Sequence, residues 1–469
     1  MANSKKLLPD DLQECIALKL TQWAAAGRRL TLALSGGVDS MVLLDILAQL
    51  RATLKFQLSA LYVNHQISPN APAWGRFCAE ACMRLGVPFI EETVALERNC
   101  GASLEALARA ARYRVFACHD TDFIALAQHL DDQAETLLLQ LLRGAGMKGL
   151  SAMPDVRGQR TEGRGQKATL HHQSSPPYET GALLIRPMLD VPRGVIVAYA
   201  GKHGLSWVED ESNRDVAFDR NFLRRDLLPV LEQRFPAYRE TFARSARHFA
   251  EAAGLLDDLA ALDADGAIHE NRLDVAALRR LSPARARNLL RYYLDGQRMP
   301  MPSAVRLDNM LSQLMDARSD ARVHIRQGDF ELRRYRDIVY ALHQLDDRIA
   351  DLSLPWHFER ELALPFGRLN FERRQGAGIS LTQLAAAPVT VRYRRGGERM
   401  RPACGRPTRS LKNLLQETAV PPWQRERLPL LYCGDDLVFV PEVGIACAYR
   451  AKPDEDGMLV NFNMPYQGE

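Results

Sequence analysis

The stretch Leu30-Thr31-Leu32-Ala33-Leu34-Ser35-Gly36-Gly37-Val38-Asp39-Ser40 decides the fold of the first part of this chain. Residues 30–34 are apolar or favour β structure, as in a buried strand, and apolar residues recur at helical spacing from Val38 to Leu50. A strand, a Ser-Gly-Gly turn and a helix N-terminus form an anion site, because backbone N–H groups and the helix dipole both favour negative charge.

The residue types within this loop predict phosphate binding. Gly36 and Gly37 let the backbone approach a phosphate closely, and Ser35 and Ser40 add hydroxyl donors. Asp39 would repel a bare phosphate, but it fits a site in which Mg²⁺ lies between the carboxylate and the phosphate oxygens. The alternative is a tight strand-to-helix turn with incidental serines. A Walker loop is excluded, because no Lys-Ser or Lys-Thr pair follows the second glycine. The motif instead resembles the S-G-G-x-D-S loop of the PP-loop enzymes, which cleave ATP to AMP and pyrophosphate.

Length and composition predict a soluble globular protein of two to four domains. The chain has 469 residues, of which 46% are hydrophobic and 25% charged. No apolar run is long enough to cross a membrane, and the N-terminus lacks a signal-peptide core. The eight cysteines are scattered along the chain, which favours a reducing cytoplasm over a disulfide framework. Cys78 and Cys82 are expected to be buried small side chains.

Strand-like and helix-like segments alternate in the first part of the chain, which predicts an α/β fold with a parallel sheet and helices on both faces. The predicted strands are 56–63, 89–94, 123–127 and 182–185, and the predicted helices are 73–85, 103–118, 131–142 and 195–203. Ligands bind such sheets beyond the carboxyl ends of the strands. The loop at Ser35 and the segment beginning at His129 both fall at that edge.

The chain is predicted to divide into three domains. Residues 1–215 form a Rossmann-like catalytic domain, in which the polar, Gly- and Pro-containing run 157–181 is a flexible insertion. Residues 216–345 contain a linker helix and a mainly helical domain, with helical periodicity at 239–262 and 275–294. Residues 346–469 form a small α/β or β-rich end domain.

The end domain contains a strongly basic stretch. Ten basic residues lie between Arg392 and Arg427, against the three acids Glu398, Glu417 and Glu426. This excess predicts a surface that binds a phosphate backbone. A solvated face whose acidic partners lie elsewhere is the alternative.

A second group of chemically capable residues occurs in the segment from His129 to Thr136. Asp131 and Glu135 are four residues apart and share one face of the predicted helix, with Asp132 beside them. Acids in a first helical turn often only match the helix dipole. At the same sheet edge as a phosphate loop, they become candidates for a magnesium or amine site.

Several motifs, in order along the chain, resemble those of the bacterial tRNA(Ile)-lysidine synthase family. They are Ser35 to Ser40, Val63-Asn64-His65-Gln66 with Ser68-Pro69-Asn70, His129 to Thr136, Leu142-Arg143-Gly144, Glu209-Asp210-Glu211-Ser212-Asn213, Asp219-Arg220-Asn221 with Arg224, Gly396-Gly397-Glu398-Arg399 and Lys412-Asn413-Leu414. The resemblance runs from about residue 28 to 450.

The resemblance implies a two-step reaction on the isoleucine tRNA whose anticodon is CAU. ATP adenylates O2 of the wobble cytidine and releases pyrophosphate, and the ε-amine of free lysine then displaces AMP. Residues Ser35 to Ser40 would bind ATP, with Mg²⁺ on Asp39. The candidates for handling the lysine amine are Asp131, Asp132 and Glu135, in that order.

Several basic residues complete the predicted sites. Arg112 and Arg143 would bind the tRNA or neutralise charge on the adenylate, with a structural ion pair as the alternative for both. Further tRNA contacts are assigned to Arg220, Arg224, Arg394, Arg395, Arg399 and Lys412. The segment from Glu209 to Arg224 is either functional or a hydrogen-bonded domain junction. The sequence does not decide between a monomer and a homodimer.

Three other functions compete with this one. A tRNA thiolase shares the loop and the adenylation step, but such enzymes typically need Cys-x-x-Cys pairs, which this chain lacks. A small-molecule amide ligase of the same loop class would not need the basic C-terminal stretch. A catalytically inactive RNA-binding protein would not need an intact Ser35, Asp39 and Ser40.

Overall fold

The structure is a computed structural model that describes residues 8–95, 104–158, 182–211, 219–318, 321, 323–343 and 352–463. The predicted insertion 157–181 lies outside the described residues, apart from Arg157 and Gly158. The chain forms two compact units, divided after Asp258. The three-domain division made from the sequence stays a prediction.

The first unit contains a six-stranded sheet. Its helices are α1 Leu12–Gln22, α2 Val38–Leu54, α3 Ala71–Leu85, α4 Leu104–Cys118, α5 Leu130–Leu142, α6 Met147–Leu150, α7 Arg193–Lys202, α8 Asp219–Phe222 and α9 Leu228–Arg234. Its strands are β1 Arg29–Ala33, β2 Gln57–Asn64, β3 Phe89–Thr93, β4 Phe123–Ala125, β5 Val156–Arg157 and β6 Leu183–Ile185. A π-helical turn, Leu223–Leu227, joins α8 to α9, and α10 Tyr238–Ala264 begins in this unit.

The strand order β3-β2-β1-β4-β6-β5 creates the crevice that a ligand needs. The first five strands in this order are parallel, as predicted. The short edge strand β5 pairs antiparallel to β6, which the alternation of elements did not predict. Because the strand order reverses between β1 and β4, their carboxyl ends border a topological switch point. The loop at Ser35 follows β1, and His129 lies shortly after β4.

The core of this unit explains why the strands read as apolar runs. Leu30 and Leu32 of β1 are fully buried, as are Leu43 and Ile46 of α2. Parallel strands covered by helices on both faces lose their alternation of polar and apolar residues. The apolar pattern of residues 30–34 therefore predicted a buried central strand correctly.

The second unit begins with a part that mixes helices and strands. It contains β7 Ile268–His269, β8 Arg272–Asp274, α11 Val275–Arg280, α12 Pro283–Gly296, α13 Ala304–Asp316, β9 His324–Gln327, β10 Phe330–Tyr335 and β11 Ile338–His343. The strands form an antiparallel sheet in the order β7-β8-β11-β10-β9. The predicted helices are present, but the prediction of a mainly helical region missed this five-stranded sheet. The segment 275–294 is divided into α11 and α12 because Ser282-Pro283 starts a new helix.

The remaining part of the second unit is β-rich, as expected. Its elements are β12 Ser353–Pro355, β13 Glu361–Leu364, β14 Gly367–Gln375, β15 Ile379–Ser380, α14 Leu381–Leu384, β16 Val389–Arg392, β17 Arg399–Met400, β18 Arg409–Ser410, α15 Leu411–Glu417, α16 Pro422–Arg425, β19 Leu430–Cys433, β20 Asp436–Val440, β21 Gly444–Ile445 and β22 Asp456–Asn463. The sheet orders are β12-β16-β19-β20-β21 and β13-β14-β22-β15, with β17 and β18 as a separate pair.

The cysteines differ in one respect from the expectation of free thiols. Cys78 and Cys82 are buried, as predicted. Cys404 and Cys447, however, form a disulfide, with their Cα atoms 5.3 Å apart. The peptide N–H of Cys447 donates to the carbonyl of Arg401, which brings the two distant segments together. Sequence spacing could not reveal this pair, because 43 residues separate its members.

Candidate active site

The loop after β1 is stabilised by hydrogen bonds between its own residues. The hydroxyls of Ser35 and Ser40 lie 3.1 Å apart, and the Ser40 hydroxyl donates to the carbonyl of Gly37 at 2.9 Å. Ser35 is exposed, whereas Ser40 is buried. The structure therefore supports a phosphate contact for Ser35 and a loop-shaping role for Ser40.

The helix N-terminus behind this loop is available to an anion. Gly37 is the N-cap of α2, and no side chain caps this end of the helix. The first-turn N–H groups of a 17-residue helix are thus left for a ligand, with the helix dipole behind them. Val38 supplies one of these N–H groups and buries its own side chain.

Gly36 needs to be glycine for two reasons. Its φ is +82°, a conformation that other residues rarely adopt. A Cβ atom at this position would also lie 2.7 Å from Cγ2 of Val208. The Val208 N–H donates to the carbonyl of Gly36 at 2.9 Å. The segment that precedes the 209–224 motif therefore packs directly on the phosphate loop, and the nearby Glu211 accepts a hydrogen bond from Asn70.

A buried histidine joins the phosphate loop to the acidic segment. His129 is only 2% exposed, and its Nε2 lies 3.7 Å from Oδ2 of Asp39 and 3.5 Å from Oδ2 of Asp132. Its Nδ1 lies 3.8 Å from Oδ2 of Asp131. The two groups of residues identified in the sequence thus meet at one site, as their places on the sheet edge predicted.

The ionisable groups in this cluster shift the pKa values of one another. Burial alone would raise the pKa of Asp39, but His129 and then Arg193 outweigh it and hold the pKa of this carboxyl below its usual value. Burial would likewise lower the pKa of His129, but the carboxylates of Asp132 and Asp39 raise it. The two shifts thus favour the ionised form of Asp39 and the protonated form of His129, relative to the same groups in water.

Glu135 is paired with an arginine from a distant part of the chain. Glu135 is fully buried, and its two oxygens accept hydrogen bonds from Nε and Nη2 of Arg224 at 2.7 and 3.0 Å. Nη2 of Arg224 also donates to Asp132 at 3.2 Å. Burial raises the pKa of Glu135, and the charge of Arg224 opposes that rise. Arg224 was predicted as a tRNA contact, but the structure places it among the carboxylates.

Asp131 connects three helices. Its Oδ2 accepts the N–H of Arg193, the first residue of α7, at 2.9 Å, and its Oδ1 contacts Nε of Arg239 on α10 at 2.5 Å. Arg239 also forms a two-pronged ion pair with Glu232. Asp131 is thus engaged by two other helices, whereas Asp132 and Glu135 share one arginine, Arg224.

The other predicted residues of this unit lie around the cluster. Arg112 lies on α4, close enough to His65 that its charge adds to burial in lowering the pKa of that imidazole to about 4. Arg143 pairs with Asp219 at 3.3 Å, both well exposed. Arg220 donates to the hydroxyl of Thr136 on α5 at 3.1 Å. Roles for these residues in binding tRNA stay predictions.

The basic stretch of the second unit is only partly a surface. Arg425 and Arg427 are 8% and 7% exposed. They belong to the interior and not to the surface that the residue count suggested. Arg394 contacts Glu398 at 3.5 Å. Glu398 also accepts the N–H groups of Arg395 and Gly396, both at 2.6 Å, which shapes the Gly-Gly turn.

Some of the predicted tRNA contacts do remain on the surface. The side chains of Arg395, Arg399 and Lys412 are exposed. Arg399 reaches the carbonyl of Thr408 through a long 3.4 Å hydrogen bond, and Lys412 lies in the first turn of α15.

Sequence reasoning missed three residues of the cluster. His129 stood next to the two aspartates, and its place at the helix N-terminus was the signal that could have identified it. Arg193 and Arg239 lie 62 and 108 residues from Asp131, so no local pattern connects them with it. Only the folded chain brings them together.

The cluster fits a magnesium ion bound together with phosphate. Among the described residues, no three His, Cys, Asp or Glu side chains form a ready-made metal site. Oδ1 of Asp39 is buried without a hydrogen-bond partner. A single carboxylate suits Mg²⁺, which commonly takes its other ligands from substrate phosphates and water. None of the helices in the described ranges combines the length and apolar character needed to cross a bilayer.

Comparison with known proteins identifies the family. Family profiles match residues 12–231 as a PP-loop domain, 273–340 as a TilS substrate binding domain and 389–462 as a TilS substrate C-terminal domain. The tRNA(Ile)-lysidine synthase of Nitrosomonas europaea is 44% identical, covering 99% of this chain and 98% of that protein. That of Coxiella burnetii is 38% identical, covering 96% of each chain. With identities of this size over nearly the whole length, this chain belongs to the tRNA(Ile)-lysidine synthase family.

Proposed function

We propose that this chain converts the wobble cytidine of a CAU-anticodon isoleucine tRNA to lysidine, using ATP and free lysine. The observation that carries the proposal is the position of His129, which is within 4 Å of the phosphate-loop Asp39 and of Asp131 and Asp132 in α5. A ligase that joins an adenylated base to an amine needs these two sites to be adjacent. Family membership supports the choice of tRNA.

The first step is adenylation of the cytosine. O2 of the base attacks the α-phosphorus of ATP, and the bond to the β-phosphate breaks with its electron pair leaving on pyrophosphate. The uncapped N-terminus of α2 and the exposed Ser35 hydroxyl would hold the phosphates in this step. Asp39 would hold Mg²⁺, which supplies charge neutralisation to the phosphates when bound.

The second step is attack by the lysine ε-amine on C2 of the adenylated cytosine. AMP leaves with the former O2 oxygen, and the amine must first lose a proton. We assign orientation of the ammonium and acceptance of its proton to Asp132, whose side chain is partly exposed, and positioning of Arg224 to the fully buried Glu135. Arg224 balances their charge through the contacts at 2.7 to 3.2 Å. Asp131, the first candidate from the sequence, is assigned a structural role instead, because it joins α5 to both α7 and α10.

The second unit would supply affinity for the tRNA. We assign phosphate-backbone contacts to the exposed Arg395, Arg399 and Lys412. Selection of one cytidine would come from an unstacked anticodon base that enters the site of the first unit. Because tRNA, ATP and free lysine occur together in the cytoplasm, we propose that compartment for the enzyme.

The decisive experiment measures AMP release from ATP by the purified full-length chain. CAU-anticodon tRNA and lysine are added separately and together, and incorporation of labelled lysine into the tRNA is followed in parallel. We expect rapid AMP release only with both substrates, together with labelled tRNA. AMP release without tRNA would indicate a small-molecule ligase instead. A requirement for a sulfur donor in place of lysine would indicate a thiolase.

A further inference from the structure

One arginine at the mouth of the candidate site has no assigned role. Arg193 is the first residue of α7, which follows the carboxyl end of β6 and packs its Tyr199 hydroxyl on Asp45 of α2 at 2.9 Å. The Nε atom of Arg193 lies 3.9 Å from Oδ1 of Asp39. This is the carboxylate oxygen that is buried without a hydrogen-bond partner.

The other two arginines of the cluster already form close ion pairs with acids. Arg224 pairs with Asp132 and Glu135, and Arg239 pairs with Asp131 and Glu232, at distances of 2.5 to 3.2 Å. The ion pair of Arg193 with Asp39 is longer than any of these contacts, and the Arg193 side chain is 46% exposed. An arginine has five N–H donors, so most of its donating capacity is left for a ligand.

The backbone of Arg193 is held firmly even though its side chain is open. Its N–H donates to Asp131 at 2.9 Å, and Asp131 is held in turn by Arg239. The peptide bond is therefore fixed relative to α5, while the guanidinium projects toward the phosphate loop. A guanidinium held in this way can bind the negative charge of a substrate phosphate without first being reoriented.

We propose that Arg193 is a catalytic residue whose guanidinium binds phosphate oxygens of ATP and stabilises the charge that develops as pyrophosphate leaves. Its fork of donors suits two oxygens of one phosphate, which a lysine at the same position could not match. Asp39 keeps the guanidinium in place before ATP arrives, and the shorter contacts to phosphate form when ATP binds. The proton stays on the arginine throughout. The proposal rests on the proposed function for the identity of the base that is adenylated.

The test uses Arg193→Ala and Arg193→Lys in the full-length protein, with Arg84→Ala as the matched control. Arg84 carries the same charge in the last turn of α3 and is exposed. Because the bond to Asp131 uses the backbone, both Arg193 variants keep it, and only the side chain is tested. Three quantities are measured: the thermal midpoint, the dissociation constant for ATP and the single-turnover rate of pyrophosphate release with tRNA.

We expect Arg193→Ala to release pyrophosphate about 10²-fold more slowly, as for the loss of one transition-state donor elsewhere. ATP affinity should fall less than this, and the thermal midpoint should match that of Arg84→Ala. Arg193→Lys should recover only part of the rate. The proposal is overturned if Arg193→Ala releases pyrophosphate at the wild-type rate, or if its loss is matched by Arg84→Ala.

The same assay separates this proposal from the proposed function. If the wild-type chain releases pyrophosphate without tRNA, the lysidine reaction is wrong, and the Arg193 variants are then compared on that tRNA-independent release. If the wild-type chain makes lysidine and Arg193→Ala does so at an equal rate, only the role of Arg193 is wrong.

Discussion

Single residues in the site are defined by the charges around them, and Asp39 is the clearest case. Its sequence context suggested a metal ligand, and the structure adds a buried oxygen without a hydrogen-bond partner and the neighbouring His129, whose pKa is raised by Asp132 and Asp39. A carboxylate kept ionised beside phosphates is useful only if cations accompany it. Asp39 is therefore the residue whose removal should affect ATP chemistry most directly.

Replacement of Asp39 by Asn should lower AMP release by about 10²-fold or more, because it removes one charged ligand from the phosphate site. Release should also need a higher concentration of Mg²⁺. The measurement is a magnesium titration of AMP release in the presence of tRNA and lysine. Asp10→Asn, at an exposed ion pair with Lys202, is the control. Unchanged ATP turnover by Asp39→Asn would discard the magnesium assignment.

Glu135 allows a prediction about pH. Burial raises its pKa in the folded protein, and Arg224 opposes this, so the folded value lies above the model-peptide value of 4.5. At pH values between 4.5 and the folded pKa of Glu135, the native state binds more protons than the unfolded state. The free energy of unfolding of the wild type therefore falls as pH rises through this range. Glu135→Gln lacks this titration. The stability of the variant relative to wild type should therefore increase as pH rises from 4.5, and then become constant.

Urea unfolding of wild type and Glu135→Gln at several pH values from 4.5 to 7.5 measures this difference. Loss of the contact with Arg224 also changes the free energy of unfolding of the variant, by an amount that does not depend on the titration of residue 135. The test is therefore how the difference between variant and wild type changes with pH, and not its size at any one pH. A difference that decreases with pH would mean that the Arg224 ion pair outweighs burial.

At the scale of elements, the loop and α2 form one unit that depends on glycine. The apolar run, the two glycines and the following helical pattern predicted the strand, turn and helix correctly within a few residues. The sequence could not show that Val208 covers the turn, because the two segments are 172 residues apart in the chain. The positive φ of Gly36 and this cover together exclude a side chain.

Gly36→Ala should therefore weaken ATP binding by at least 10-fold. The left-handed backbone alone costs about 1–2 kcal/mol for an L-residue, before the contact with Val208 is counted. Calorimetric titration with ATP measures the effect. Gly254→Ala, in the long helix α10 with open space around its Cα, is the control. It should be neutral or slightly stabilising, since Ala is the better helix former. Equal ATP affinity in Gly36→Ala and wild type would contradict the described loop geometry.

At the scale of the whole molecule, the fold decides which charges face solvent. A count of ten basic residues between 392 and 427 suggested one continuous phosphate-binding surface. Two of them are buried, and Arg394 is largely occupied by Glu398. The exposed residues that are left, among them Arg395 and Lys412, are the ones expected to bind RNA.

The double variant Arg395→Ala, Lys412→Ala should bind tRNA more weakly and with a smaller dependence on salt. The slope of log affinity against log salt should decrease by about one for each phosphate contact removed. Filter binding at several salt concentrations measures this slope. Arg368→Ala, at an exposed ion pair with Glu361 in the same unit, should leave it unchanged. An unchanged slope in the double variant would remove these residues from the RNA surface.

The cysteines provide a test of the whole fold. Burial raises the pKa of Cys78 to about 12 and that of Cys82 to about 11, so almost no thiolate is present at pH 8. Exposed Cys118 should be alkylated first, and Cys404 and Cys447 should react only after reduction. Mass spectrometry of the native protein after brief iodoacetamide treatment measures this order. Rapid labelling of Cys78 would contradict the packing of α3.

The sequence by itself determined the α/β class of the first unit, the phosphate loop and the acidic segment. It could do so because these features depend on neighbouring residues, whose periodicity and turn chemistry are local. The tertiary structure alone decided that His129 joins the two groups, that Arg193 and Arg224 supply the cations, and that Cys404 meets Cys447. The reason is physical: ion pairs and disulfides between distant segments depend on how helices pack on the sheet, and no local pattern records that packing.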